Sequence, residues 1–183
     1  MAAASPANAD TPHGFTATGV MYGLNPYAVD AGNLAIFKGD MMSIEADGNV
    51  TENTGSLAHN VGAAESATGV SSAVKALIAA STAGTVLAHY HPAQMYFAQV
   101  SDGAGAVAIN YGENMDIAVE HVGSTVTGIS GMELDDSTSA SSAALVMSVH
   151  NLLNRSDNLI GDHAELICSV NEHFMSTNVG VGV

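Results

Sequence analysis

Positively charged side chains are nearly absent from this sequence. Among its 183 residues, Lys38, Lys75 and Arg155 stand against eighteen carboxylates, which gives a formal net charge of −15 at pH 7. Binding to nucleic acid draws much of its affinity from Lys and Arg contacts with phosphates, and the same residues attract proteins to anionic membranes. The composition therefore argues against nucleic acid and membrane as partners. The acidity itself is most simply a means of keeping the protein soluble.

Cysteine, tryptophan and long apolar runs are also scarce. Cys168 is alone, so no disulfide can form within the chain, and its place in the apolar run 165–170 predicts a small buried side chain. No stretch approaches the roughly 20 apolar residues that a membrane span needs. The first six residues also lack the pattern of a signal peptide. We therefore expect a soluble protein that is made in a cytoplasm.

The residues that are abundant favour β structure. Hydrophobic residues make up 47% of the chain and are mostly Ala and Val, which suit thin sheets with small side chains. From Leu34 onward, short apolar stretches are separated by Gly, Asn, Asp and Ser, and Asp47-Gly48 and Asp102-Gly103 predict tight turns. The expected strands cover 34–37, 41–45, 50–52, 86–90, 94–100, 106–111, 145–153 and 165–174. This pattern predicts an all-β fold, a small barrel or sandwich.

The chain divides into residues 1–33, an extended N-terminal arm, and residues 34–183, a single β-barrel domain. The arm holds three of the four prolines and shows no sustained periodicity, so we expect it to serve binding and not the folding of the barrel. Its apolar residues predict that it lies against its own barrel or a neighbouring subunit.

Three segments of the barrel domain are assigned differently from the strands. Asn114 is expected to cap one helical turn over 115–118. The Ser/Thr-rich stretch 135–142 is expected to be a loop. The run 70–80 fits either a strand or a short helix, because its periodicity does not distinguish the two.

The order of several short motifs suggests a family. Residues 127–135 read Thr-Gly-Ile-Ser-Gly-Met-Glu-Leu-Asp, and they are followed by an apolar strand at 145–149, Arg-Ser-Asp-Asn at 155–158 and Val-Asn-Glu-His at 170–173. Upstream stand Gly39-Asp40, before an apolar pair of strands, and the stretch from His91-Pro92 to Phe97. In order and spacing this pattern resembles the capsid decoration, or cement, proteins of tailed bacteriophages.

The resemblance implies a small tulip-like β-barrel that assembles as a homotrimer on the outer surface of a phage capsid. There it would bind between subunits of the major capsid protein and stabilise the shell against internal DNA pressure. The protein would then be a virion component and not an enzyme, with no cofactor, and its negative charge favours the outer face of a DNA-filled shell. A tail or baseplate structural protein, which draws on similar small barrels, remains the alternative.

His89 and His91 have the one spacing typical of metal ligands, because alternate residues of a strand share a face. The pair leaves a cupin-like metalloenzyme as a less favoured alternative. The cupin pattern needs a Glu a few residues on, but residues 92–96 contain no carboxylate. No Gly-x-Ser-x-Gly motif and no phosphate-binding Gly-rich loop occurs. We therefore expect no catalytic, cofactor-binding or metal-binding residues.

An acidic stretch offers the other possible ligands. Glu133, Asp135 and Asp136 carry the oxygen ligands that Ca²⁺ prefers, and the sequence leaves open whether they bind it on a loop. Solvated acidic turns are the commoner explanation of such a stretch.

Overall fold

The computed structural model of the chain describes residues 8–55, 59–68, 76–101, 112–119 and 123–175. Within these ranges it contains eleven strands and no helix. The strands are β1 (Thr16–Thr18), β2 (Leu24–Val29), β3 (Met41–Ile44), β4 (Val50–Glu52), β5 (Asn60–Thr68), β6 (Gly84–His89), β7 (Met95–Gln99), β8 (Asn114–Ala118), β9 (Glu133–Ala140), β10 (Met147–Leu152) and β11 (Glu165–Val170). Since these ranges hold no helix, they hold none that could cross a membrane.

The strands form two antiparallel sheets. The six-stranded sheet has the order β1-β7-β11-β10-β8-β9, and the five-stranded sheet has the order β2-β6-β5-β3-β4. The all-β fold expected from the sequence is confirmed as a two-sheet sandwich. Among the residues that the structure describes, neither sheet closes into a barrel.

Alternating side chains of both sheets build the core. In β11, Leu166 and Cys168 are fully buried and Val170 nearly so, because alternate residues of a strand share a face, and the burial expected of Cys168 is confirmed. They pack in a cluster with Met41 and Ala63 of the five-stranded sheet, so this core lies between the two sheets. Burial also raises the pKa of the Cys168 thiol, as expected for a small core residue and not for a reactive one.

The described part of the N-terminal segment, residues 8–33, provides an edge strand to each sheet. β1 pairs with β7 and β2 pairs with β6. Phe15 and Val29 are 1% and 2% exposed, and each belongs to a core cluster. At Gly14, where φ is +66°, an added Cβ would lie 2.4 Å from the Cβ of Ser130. These contacts give the segment a part in folding that the sequence does not predict.

Two local assignments from the sequence are wrong. Residues 114–118 form β8 and not a helical turn, because Met115 and Ile117 alternate into the core with the period of a strand. Residues 135–140 belong to β9 and not to a loop. β9 lies at an edge of its sheet, where Ser and Thr side chains remain in contact with solvent.

The remaining assignments vary in outcome. The strand expected at 50–52 is confirmed with its predicted bounds, and the strands expected at 41–45, 86–90, 94–100, 145–153 and 165–174 are confirmed with shifted ends. The turn expected at Asp47-Gly48 is also confirmed. Residues 34–37 form no strand and make only isolated bridges, such as Ile36 with Ile78. The strand expected at 106–111, the turn at Asp102-Gly103 and most of the run 70–80 lie outside the described residues.

Candidate functional site

Exposed apolar side chains are concentrated where the chain passes from β1 to β2. In this connection, residues 19–24, the exposed fractions are 67% for Val20, 59% for Met21, 39% for Tyr22 and 40% for Leu24. Residues 14–29 contain no charged side chain. We call residues 19–24 the apolar connection. An apolar stretch of this kind is typical of a surface that contacts another molecule.

The conformation of the apolar connection is fixed by the buried Gln94. Its Oε1 accepts a hydrogen bond from the backbone N–H of Tyr22 at 3.3 Å, and its Nε2 donates to the carbonyl of Thr18 at 3.1 Å. The ring of Tyr22 stacks on the ring of His91 with a centroid distance of 3.9 Å. The exposed apolar side chains are therefore held on an ordered backbone.

A second feature is a group of two carboxylates and an imidazole. The potential ligand atoms of Asp10, Glu133 and His163 all lie within 4.8 Å of one another. Asp10 precedes β1, Glu133 is the first residue of β9, and His163 lies in the loop before β11. We call these three residues the carboxylate–imidazole cluster. Its members are remote in the sequence and are brought together by the six-stranded sheet.

Gln99, the last residue of β7, positions two members of this cluster. Its side chain is buried, and its Nε2 donates to the carbonyl of Ala9 at 2.7 Å and to that of His163 at 3.1 Å. Its Oε1 accepts a hydrogen bond from the N–H of Thr11 at 3.0 Å. One amide group therefore fixes the backbone on both sides of Asp10 and also at His163.

The side chain of Asn8 joins the same two segments. Its Nδ2 donates to the carbonyls of Leu159 and Asp162, both at 2.8 Å, and its Oδ1 accepts from the N–H of Leu159 at 2.9 Å. The loop before β11 is thus tied to the N-terminal segment at several points.

Negative charge is concentrated around the cluster. Glu133 is 1% exposed, whereas Asp10 is exposed and His163 is partly buried. The pKa of nearby Asp136 is raised, first by burial and then by the negative charges of Asp135 and Asp162. In the cluster itself, Nδ1 of His163 lies 3.9 Å from Oδ1 of Asp10. The arrangement combines oxygen and nitrogen ligands of the types that hold metal ions.

Two clefts flank the cluster. One, of about 520 Å³, is lined by Asp10 together with residues of the 124–131 region. The other, of about 380 Å³, is lined by His163 and by Arg155 and Glu165. Thr11 lines both clefts, so the N-terminal segment separates them. One cleft therefore exposes Asp10 to solvent and the other exposes His163.

A comparison with models of known protein families, with curated proteins and with solved structures finds no match for this chain.

The structure separates the two histidines that the sequence pairs. His89 is buried at the end of β6, edge-to-face with Tyr96 at a centroid distance of 6.0 Å, and burial lowers its pKa. His91 lies beyond the strand end against Tyr22, and its Nδ1 accepts a hydrogen bond from the N–H of Ala93 at 3.1 Å. Among the described residues, neither histidine joins a group of three potential metal ligands.

The acidic stretch 133–136 lies in β9 and not in a loop, and Glu133, Asp135 and Asp136 do not form a group of potential metal ligands with one another. Asp135 accepts hydrogen bonds from the backbone and the hydroxyl of Ser137, and only Glu133 of this stretch joins the carboxylate–imidazole cluster. Sequence reasoning missed Asp10 and His163 because no local spacing connects them with Glu133. Only the pairing of strands brings the three together.

The Arg155–Asn158 motif has a structural role in the loop after β10. Arg155 forms ion pairs with Glu165 at 2.9 Å and with Asp157 at 3.0 Å. The side chain of Asn158 donates to the carbonyls of Leu153 and Glu165 and accepts from the N–H of Glu165. These contacts close the loop between β10 and β11 and account for the motif without a ligand.

Proposed function

We propose that the protein is a structural component of a virus particle, which decorates and stabilises the outer surface of a phage capsid by binding between major capsid subunits. The observation that carries the proposal is the apolar connection: exposed Val20, Met21 and Leu24 on a backbone anchored by Gln94. The order of the motifs resembles that of capsid decoration proteins, and on this basis we propose the major capsid protein as the partner.

The charge distribution supports a contact through this surface. A chain of net charge −15 repels other acidic surfaces at long range. Residues 14–29 contain no charged side chain, so a partner that binds there removes few charged groups of this chain from water. The same net charge favours the outside of a DNA-filled shell over its inner face.

The strands of the N-terminal segment are not free to join a partner's sheet along both sides, because β1 and β2 already pair with β7 and β6. Pro26 lies in β2, and proline on an edge strand removes a backbone donor and discourages further strand addition. We therefore propose that side chains of the apolar connection supply the contact. A homotrimer, which the resemblance implies, would repeat this contact and raise the overall affinity through avidity.

The proposal is tested by co-sedimentation with mature phage capsids that lack the protein. Met21→Ser with Leu24→Ser is expected to reduce capsid binding at least tenfold, because it replaces two exposed anchors. Val126→Ser is the matched control, since Val126 is 74% exposed in a different loop. Light scattering of the wild type measures whether it is a trimer.

Two results would contradict the proposal. Equal binding by the double variant and the control would exclude the apolar connection as the contact. Binding to isolated tails or baseplates, but not to capsids, would favour a tail protein instead.

A further inference from the structure

We propose that the carboxylate–imidazole cluster of Asp10, Glu133 and His163 binds a divalent transition-metal ion of the Zn²⁺ class. The proposal does not rest on the proposed capsid function. Its first basis is convergence: ligand atoms from three separate segments of the chain lie within 4.8 Å of one another. This separation lets a single ion contact all three side chains after small rotamer adjustments, because metal–ligand bonds are about 2.0–2.2 Å long.

The types of ligand indicate the class of ion. Ca²⁺ and Mg²⁺ are bound by oxygen, whereas an imidazole beside carboxylates suits first-row transition metals such as Zn²⁺. Two carboxylates and one imidazole also leave a coordination position for water. The clefts lined by Asp10 and by His163 give that water, and the entering ion, access to the cluster.

The ligands are held in place by buried polar contacts outside the cluster. Gln99 bonds to the carbonyls of Ala9 and His163, which places the backbone of two ligand-bearing segments through one side chain. Asn8 adds hydrogen bonds to the loop that carries His163. Such external support orients metal ligands, so that less ordering is needed when the ion binds.

The balance of charge also favours a cation. Asp162, which precedes His163 in the chain, adds a further carboxylate, and its negative charge is one of the causes that raise the pKa of Asp136, after burial and the charge of Asp135. The two cationic side chains in the described residues are engaged elsewhere, Lys38 with Glu65 and Arg155 with Glu165 and Asp157. A divalent ion at the cluster would place positive charge beside the carboxylates of Asp10 and Glu133.

A second acidic group provides an internal comparison. The carboxylates of Asp30, Glu45 and Asp47 are also within 4.8 Å of one another, but all three residues are exposed and none supplies an imidazole. Exposed acidic groups are commonly solvated without an ion, so this group serves as the matched control and carries no proposal.

Binding would join three parts of the fold. Asp10 precedes β1, Glu133 begins β9 and His163 precedes β11, so one ion would tie the N-terminal segment to both strands. Since such a site exists only in the folded chain, a free ion concentration of 100 times Kd shifts the unfolding equilibrium about 100-fold toward the folded state.

The test is calorimetric titration of the full chain with Zn²⁺, and separately with Ca²⁺. We expect one Zn²⁺ site per chain, with at least tenfold weaker binding in Asp10→Asn and in His163→Gln. Asp47→Asn, in the control group, is expected to bind as the wild type does. Urea unfolding with and without Zn²⁺ should show stabilisation of the wild type that both cluster variants lose.

Three outcomes would overturn the proposal: no Zn²⁺ binding at millimolar concentration, unchanged affinity in the cluster variants, or equal weakening by Asp47→Asn. Ca²⁺ binding as tight as Zn²⁺ binding would overturn the assigned class of ion. Glu133→Gln removes the buried ligand, and its fold is checked by circular dichroism. If that variant does not fold, Asp10→Asn and His163→Gln decide the question, because neither Asp10 nor His163 is fully buried.

Discussion

Asp40 is a carboxyl group that the fold removes almost completely from water. It is 4% exposed, and its Oδ2 accepts a hydrogen bond from the N–H of Phe37 at 2.7 Å. Burial raises its pKa from 3.8 to about 6, although hydrogen bonds from Ser130 and Phe37 act in the opposite direction. The folded chain therefore holds a proton at Asp40 that the unfolded chain releases at lower pH.

This difference predicts a pH dependence of stability. Between the unfolded pKa of 3.8 and the folded pKa of about 6, the folded state binds more protons, so Asp40 lowers the free energy of unfolding as pH rises. Each pKa unit corresponds to about 1.4 kcal/mol, which makes the total effect about 3 kcal/mol at pH 7. Asp40→Asn keeps an acceptor oxygen but cannot ionise, so the variant should not show this decrease in the free energy of unfolding as pH rises.

The measurement is urea unfolding of wild type and Asp40→Asn at intervals from pH 4 to pH 7.5. We expect the wild type to lose stability relative to the variant as pH rises. Using the difference between the two proteins is essential because His173 acts in the opposite sense. Burial lowers the pKa of His173 to about 4, so its contribution to the free energy of unfolding is lost as pH falls. Parallel curves for the two proteins would contradict the assigned role of Asp40.

At the scale of elements, β7 organises the N-terminal segment. Gln94 immediately precedes this strand and anchors the apolar connection, whereas Gln99 ends it and anchors the backbone beside Asp10. Between these two glutamines, β1 pairs with β7 itself. One strand therefore supports both the proposed capsid contact and the proposed metal site.

How much of this the sequence predicts depends on whether the signal is local. β11 is predictable because Leu166, Cys168 and Val170 alternate within a single strand. β8 is not predicted because Asn114 suits a helix cap as well as the start of a strand. The strand is formed through pairing with β9 and β10, which lie far away in the sequence. The carboxylate–imidazole cluster is missed for the same physical reason, since its residues are neighbours only after the sheet forms.

The N-terminal segment supplies the element-scale prediction. Phe15 is 1% exposed in the core between the sheets, so Phe15→Ala should lower the free energy of unfolding by about 3–5 kcal/mol. Deleting residues 1–30 should destabilise the fold further, because it removes both β1 and β2. Val20→Ala, at a 67% exposed position of the same segment, is the control and should change stability by less than about 0.5 kcal/mol.

Urea unfolding, followed by circular dichroism, measures all three variants. A deletion variant with the unfolding midpoint of the wild type would show that the segment is a dispensable arm. If Phe15→Ala lowers the free energy of unfolding no more than Val20→Ala does, the result would contradict the place of Phe15 in the core.

At the scale of the whole molecule, the dominant property is uncompensated negative charge. Eighteen carboxylates face three cationic side chains. Two of those cations, Lys38 and Arg155, already form ion pairs with carboxylates of the sandwich. Most of the remaining carboxylates repel one another more strongly in the compact state than in the expanded unfolded chain. Folding therefore proceeds against an electrostatic cost that depends on ionic strength.

Salt is accordingly expected to stabilise the protein. Raising NaCl from 0.01 M to 1 M shortens the screening length from about 30 Å to about 3 Å, which weakens repulsion across the sandwich more than it weakens close ion pairs. The urea midpoint at pH 7.5 should rise with salt, and KCl should act as NaCl does if screening is the cause. EDTA is included throughout so that trace divalent ions at Asp10, Glu133 and His163 make no contribution. A midpoint that is unchanged or falls between 0.01 M and 1 M would show that the net charge of −15 does not limit stability.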